Sequence, residues 1–97
     1  MAKEGLFGTG RIIATVGVAQ RMNNDSRFEE MVRRCLGRHV RGDWGNVCDS
    51  DWKMNDAALD RKNPGRIVSS YEIMGDMVLI ITEWDRSYTT ILYPEDY

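Results

Sequence analysis

Scarcity is the first thing the 97 residues show. There are two cysteines, Cys35 and Cys48, two prolines, and a single histidine, His39. Two cysteines make no disulfide scaffold, and no C-x-x-C pair of the kind that structural zinc sites favour is present. The longest apolar run, Met77 to Ile81, is too short to cross a bilayer. The opening residues hold no hydrophobic stretch of signal-peptide length. Neither sign of charge dominates, because 13 Lys and Arg stand against 15 Asp and Glu, a net of −2. That argues against the basic surface of a general nucleic-acid binder and against an acidic DNA mimic. No internal repeat or low-complexity segment is visible.

What remains is ordinary globular composition, 42% apolar and 29% charged, over a length that suits one domain spanning 1–97. A chain this short buries only about 60–65% of its unfolded surface, so most apolar residues are needed inside. The expected setting is a soluble, cytoplasmic domain of bacterial or phage type with reduced thiols and no membrane partner.

Gly5, Gly8 and Gly10 mark residues 1–10 as a flexible lead-in. Arg11 to Val16 reads as a short strand leading into a helical turn, and Thr15 is an alternative cap for a short helix through Val18, Ala19 and Met22. Ser26 and Glu29 have capping-box spacing. Behind them Phe28, Met31, Val32, Cys35, Leu36 and His39 fall on one helical face, which predicts a helix over 27–39 ended by Gly42 at the latest. Asp49 or Ser50 caps a shorter helix over 51–60, and Asn63, Pro64 and Gly65 break the chain.

The last third predicts an antiparallel three-stranded meander at 66–74, 77–84 and 88–93. Its turns are Gly75 and Asp76, then Asp85 to Ser87. With those turn lengths Ile80 sits between Tyr71 and Leu92, and Trp84 between Ile67 and Tyr88, all on the core face. Trp44 and Trp84 are then buried and Ile80 is a core centre. A one-residue error in either turn swaps the faces. The fold class is α+β, helices followed by the meander.

Candidate chemistry is sparse. Cys35 and His39, four apart on the helix, could join Cys48 in a metal site or form a Cys–His pair, but both cysteines suit packing positions equally well. No metal, cofactor or catalytic set is assigned. Arg41, Gly42 and Asp43 spell a tripeptide too short to carry meaning. The densest polar stretch runs from Glu83 through Asp85, Arg86 and Ser87 to Thr90. With His39, Asp43 and Trp44 from the glycine-flanked loop, Glu83, Asp85 and Arg86 form the expected partner-binding surface. Arg86 is its planar cation, Glu83 and Asp85 orient that cation, and Trp44 is an aromatic anchor if exposed. The alternative for Asp85 is a turn role. Arg27, Arg33, Arg34, Arg38 and Arg41 make a local basic stripe that could touch RNA or an acidic partner.

Several stretches resemble a family of small proteins of plasmids and other mobile elements, described as plasmid-related. They are His39-x-x-Gly42-Asp43-Trp44-Gly45, Ser69-x-Tyr71, Ile81-Thr82-Glu83-x-Asp85-Arg86-Ser87-x-Thr89-Thr90 and Leu92-x-Pro94-x-x-Tyr97. Ala14-Thr15-Val16-Gly17 is similar to the family's opening, with Val16 where the family pattern carries proline. The resemblance transfers no activity. It implies a mobile-element context, in which small proteins often counter restriction or CRISPR systems by binding them. The resulting expectation is a non-enzymatic inhibitor whose partner is a host defence nuclease. The alternative is a small ribonuclease of toxin type, using Glu72, Glu83, His39 and Arg86, which the net charge opposes. A transcriptional regulator lacks a helix-turn-helix pattern.

Overall fold

The computed structural model describes residues 5–97. In chain order it has β1 (Arg11–Ala14), α1 (Val16–Asn24), α2 (Ser26–Val40), α3 (Asp49–Ala58), β2 (Ile67–Ile73), β3 (Asp76–Thr82) and β4 (Tyr88–Leu92), with a 3-10 turn at Pro94–Asp96. The strands form one mixed sheet in the order β1-β4-β3-β2. The three strands of the expected meander pair antiparallel as predicted. Among the described residues the sheet nevertheless has four strands and begins before the helices, because β1 lies parallel to β4, Ile12 beside Thr89 and Ala14 beside Ile91. All three helices belong to the crossover that a parallel pair needs.

α2 forms where the 3.6-residue period places it, but its cap is Asp25 and not Ser26. The Asp25 carboxylate accepts from the amides of Arg27 and Phe28 at 3.0 and 3.3 Å. Ser26 is already helical, and Glu29 instead pairs with Arg33 one turn on. The short helix expected over 51–60 starts and ends two residues earlier. The helical turn expected near Thr15 is a full helix, α1, packed on α2. Val18, Phe28, Val32 and Cys35 from α1 and α2 close over Tyr71, Ile73, Val78, Ile80 and Ile91 of the sheet. A second cluster, Trp44, Ala58 and Ile67 with Phe7, Val47, Trp52 and Leu59, fills the other end under α3.

Both hairpin turns are displaced from their expected places, with different consequences. The first is Met74–Gly75 rather than Gly75–Asp76. Both residues have positive φ, 51° and 88°, as a type I′ turn requires, and glycine at the second place suits it. This slides β3 by two residues against β2, so Tyr71 faces Val78 instead of Ile80, yet every side chain keeps its side of the sheet. The second loop has four residues, Trp84 to Ser87, because Glu83 already bonds Tyr88. One extra residue reverses β4: Thr89 and Ile91 face the core, in place of Tyr88 and Leu92. Trp84 therefore lies in a loop and is 61% exposed, not buried.

The outer edge of β2 is covered at Val68 by a side chain and at Ser70 by loop backbone. Asn55 of α3 donates to the Val68 carbonyl at 2.8 Å and accepts from the Val68 amide at 3.1 Å. Beside it, the Ser70 amide and carbonyl bond Trp44 and Asn46. Gly45 must be glycine there, since a Cβ would stand 2.0 Å from the Ser70 carbonyl oxygen.

Residues 1–4 of the expected lead-in lie outside the described residues. Residues 5–10 have no regular structure and run across the second cluster. The Leu6 amide bonds the Val40 carbonyl at 2.6 Å, and Phe7 packs against His39 and Trp44.

Ile80 is fully buried between Ser69 and Ile91. Ile80→Ala is expected to cost about 2–5 kcal/mol, read as a lower urea midpoint at an unchanged slope. A midpoint within error of the parent would contradict this packing.

Candidate functional site

Of the six residues expected at the partner surface, two are wholly inside. His39 and Trp44 are 0% exposed. Their rings meet edge-on at 5.8 Å, and Phe7 stands against both, with centroids at 5.3 and 6.2 Å. The Arg86 guanidinium lies 5.3 Å from the Phe7 ring centre. Phe7 thus joins Arg86 to His39 and Trp44, a junction hidden in the sequence because it lies within the glycine-rich lead-in.

His39 is the hub of a buried polar chain. One ring nitrogen, Nδ1, is 2.5 Å from Ser69 Oγ, and the other, Nε2, is 2.8 Å from Thr82 Oγ1. Thr82 Oγ1 is 2.7 Å from Thr89 Oγ1, which donates to the Thr9 carbonyl at 2.7 Å. Each hydroxyl has one proton, so the direction follows. Thr89 uses its proton on Thr9 and must accept from Thr82. Thr82 has then spent its proton and must accept from Nε2–H. The Ser69 hydroxyl, 2.5 Å from Nδ1, also lies within reach of the Ile80 carbonyl at 3.3 Å, so the hydroxyl count alone does not set the state of Nδ1. Nε2 carries a proton, and because burial disfavours the imidazolium the ring is neutral, which leaves Nδ1 to accept from Ser69. Burial lowers its pKa to about 4, and the nearby Arg86 cation adds to the effect.

Arg86 reaches inward as well. Its two terminal nitrogens donate to the carbonyls of Ala58 at 2.8 Å, Gly65 at 2.6 Å and Glu83 at 3.2 Å. One guanidinium thus ties the C-terminal end of α3, the loop before β2 and its own turn together. Burial holds its pKa below the usual arginine value. Its backbone has φ 60°, the left-handed conformation of a tight turn. Asp85 stabilises the same turn by accepting from the Ser87 amide at 3.1 Å and the Ser87 hydroxyl at 2.6 Å, bonds that lower its pKa. Glu83 pairs with Arg66 at 3.4 Å.

Asp43 precedes Trp44 in the loop after α2. Its carboxylate takes two bonds from Arg38, at 2.7 and 3.2 Å, and one from the Gly45 amide, and the Arg38 guanidinium leads in holding its pKa down. Cys35 is buried and its thiol is pushed up by that burial, whereas Cys48 is exposed at the start of α3.

What the turn presents outward is Trp84. A cleft of about 320 Å³ opens between Leu6, Phe7 and Gly8, the Leu59 to Pro64 segment, and Trp84, Asp85 and Arg86. Arg86 forms its floor. Trp84 and Leu6, 61% and 55% exposed, form its apolar lip, and Asp60, Arg61 and Asp85 form a charged rim. Trp84 and Leu6 were not among the expected site residues. The signal for Trp84 was the loop length, since a four-residue loop places it off the strand. Comparison with family models, with curated proteins and with solved structures gave no match to this chain.

Arg86→Ala strands three carbonyls and is expected to destabilise the fold by about 2–4 kcal/mol in thermal or urea melts. Unchanged stability would mean that the clamp is idle. For His39, the unfolded imidazole takes up its proton near pH 6.5 and the folded one only near pH 4. Stability contributed by this group is therefore flat above about pH 6.5 and falls as pH drops toward 4, by about 3 kcal/mol in all. Urea melts across that window should show the slope, and His39→Gln should remove it.

Proposed function

We propose that this chain is a non-enzymatic binding protein of a mobile element that inhibits a host defence nuclease, and that the cleft beside the β3–β4 loop is its contact surface. The observation that carries the reading is Trp84, an exposed indole on a turn that Arg86 fixes from beneath. Tryptophan is enriched among residues that dominate binding energy, and a rigid support avoids the entropy cost of ordering it on contact. Leu6 extends the apolar lip. The mixed charges of Asp60, Arg61 and Asp85 make a polar rim of the kind that surrounds such anchors. The mobile-element resemblance supplies the class of partner.

The ribonuclease alternative draws less support. It needs His39 as a base, and both nitrogens of that buried ring are engaged by hydroxyls. Glu72 and Glu83 do share a sheet face, but Glu72 pairs with Met77, six residues before Glu83 along β3. At about 3.3 Å per residue they stand roughly 20 Å apart, too far to act on one phosphodiester. Among the described residues no helix is long and apolar enough to cross a membrane.

The test adds purified protein to guide-loaded nucleases and to restriction enzymes and measures protection of their DNA targets, with RNA cleavage followed in parallel. Protection by the parent, reduced about 30-fold or more in Trp84→Ala at unchanged melting temperature, is the expected result. RNA cleavage without protection would overturn it.

A further inference from the structure

The two edges of the sheet are treated differently. Asn55 and residues 44–46 occupy the outward backbone groups of Val68 and Ser70 on β2, but no described residue pairs with the outward groups of β1. The Arg11 and Thr15 amides bond Ser87 and Ile91, so odd-numbered residues of β1 turn their amides toward β4. Ile12 and Ala14 therefore turn theirs away from the sheet. Arg11, Ile12 and Ile13 are all exposed, the two isoleucines by 49% and 41%. An open edge with β-branched apolar residues is a template for another strand.

We propose that this edge is a self-association site, at which a second copy of the chain adds its own β1 antiparallel about a twofold axis through Ile13. The inference does not rest on the proposed function. In this register Ile12 lies opposite Ala14 of the second copy, and their amides and carbonyls satisfy one another in both directions. The axis cannot pass through Ile12, because Gly10 would then have to pair, and its φ of 62° is not extended.

Charge selects a second copy as the occupant. Residues 11, 13 and 15 share the sheet face that α1 and α2 leave uncovered. With the axis at Ile13, the two Ile13 side chains meet, and Arg11 falls opposite Thr15 of the other copy. The Thr15 hydroxyl donates to Asp96 Oδ2 at 2.8 Å, so a carboxylate stands beside that position. Each Arg11 thus meets an Asp96 of the other copy, twice by symmetry. The strand is four residues long, so the dimer belongs to the weak, reversible end of the range.

Sedimentation equilibrium over a wide concentration range tests this, with circular dichroism and melting to verify folding. The parent is expected to show a reversible monomer–dimer equilibrium. Ile12→Pro removes an amide that bonds nothing in the described fold, and Ile13→Asp sets two like charges on the axis. Each should raise the dissociation constant about 100-fold or more while the protein stays folded. Arg11→Asp and Asp96→Arg should each weaken the dimer about tenfold, and the double variant should recover it. A parent that stays monomeric up to millimolar concentration overturns the proposal. So does a dimer that survives either edge variant, or a charge swap that fails to rescue.

Discussion

The buried imidazole of His39 holds the architecture in register. From α2 it reaches a hydroxyl on β2 and another on β3, and the chain continues through Thr89 of β4 to the carbonyl of Thr9. In a dry interior an unmatched polar group costs far more than a matched one gains, so the chain closes completely or not at all. A one-residue slip of β4 would turn Thr89 outward and leave Thr82 and the imidazole without their sequence of donors and acceptors. The apolar pattern alone does not choose between the faces of β4, because Ile91 lies on one and Leu92 on the other. The polar chain decides. It also fixes the loop at four residues, and through the loop it fixes where Trp84 stands.

Arg86 then makes that loop rigid. Its side chain does what a surface arginine rarely does, bridging three backbone carbonyls from three segments while its cation lies over Phe7. Burial keeps the imidazole neutral, and the same cation, close to His39, adds to that effect, so Nε2 donates to Thr82 while Nδ1 accepts from Ser69. The two polar centres are therefore coupled: a charged Arg86 favours a neutral His39.

Local chemistry was legible wherever the sequence has a period or a strong punctuator. The α2 face from Phe28 to His39, the break at Pro64 and Gly65, the antiparallel pairing of β2 to β4 and the burial of Ile80 and Trp44 all followed from such signals. Parity across the β3–β4 loop was not legible, because Trp84 suits a strand as well as a loop. Nor was the position of β1, whose pairing with β4 spans the whole helical region. The cap at Asp25 was hidden by the competing match at Ser26. As for the candidate site, the polar turn was legible, but the direction of its side chains was not. Asp85 and Arg86 do sit together, but their bonds run inward, and a stretch of sequence does not reveal which way a guanidinium points.

Leu6, Ile12, Ile13, Trp84 and Tyr88 are among the apolar side chains left exposed. Arg11 pairs in register with Tyr88, and Tyr88 is bonded to Glu83, the residue before Trp84. The open edge of β1 and the indole lip are thus neighbours on the same end of the sheet. An antiparallel twofold at Ile13 carries this end of each copy in opposite directions, so a dimer would present two Trp84 lips at opposite ends of one continuous sheet. Two weak contacts held on one scaffold act with an effective concentration set by their spacing. A domain too small to build a large interface could in this way hold a dimeric or multi-site partner more tightly than its single cleft allows. Edge pairing and cleft binding would then be linked by mass action, each raising the population that the other needs.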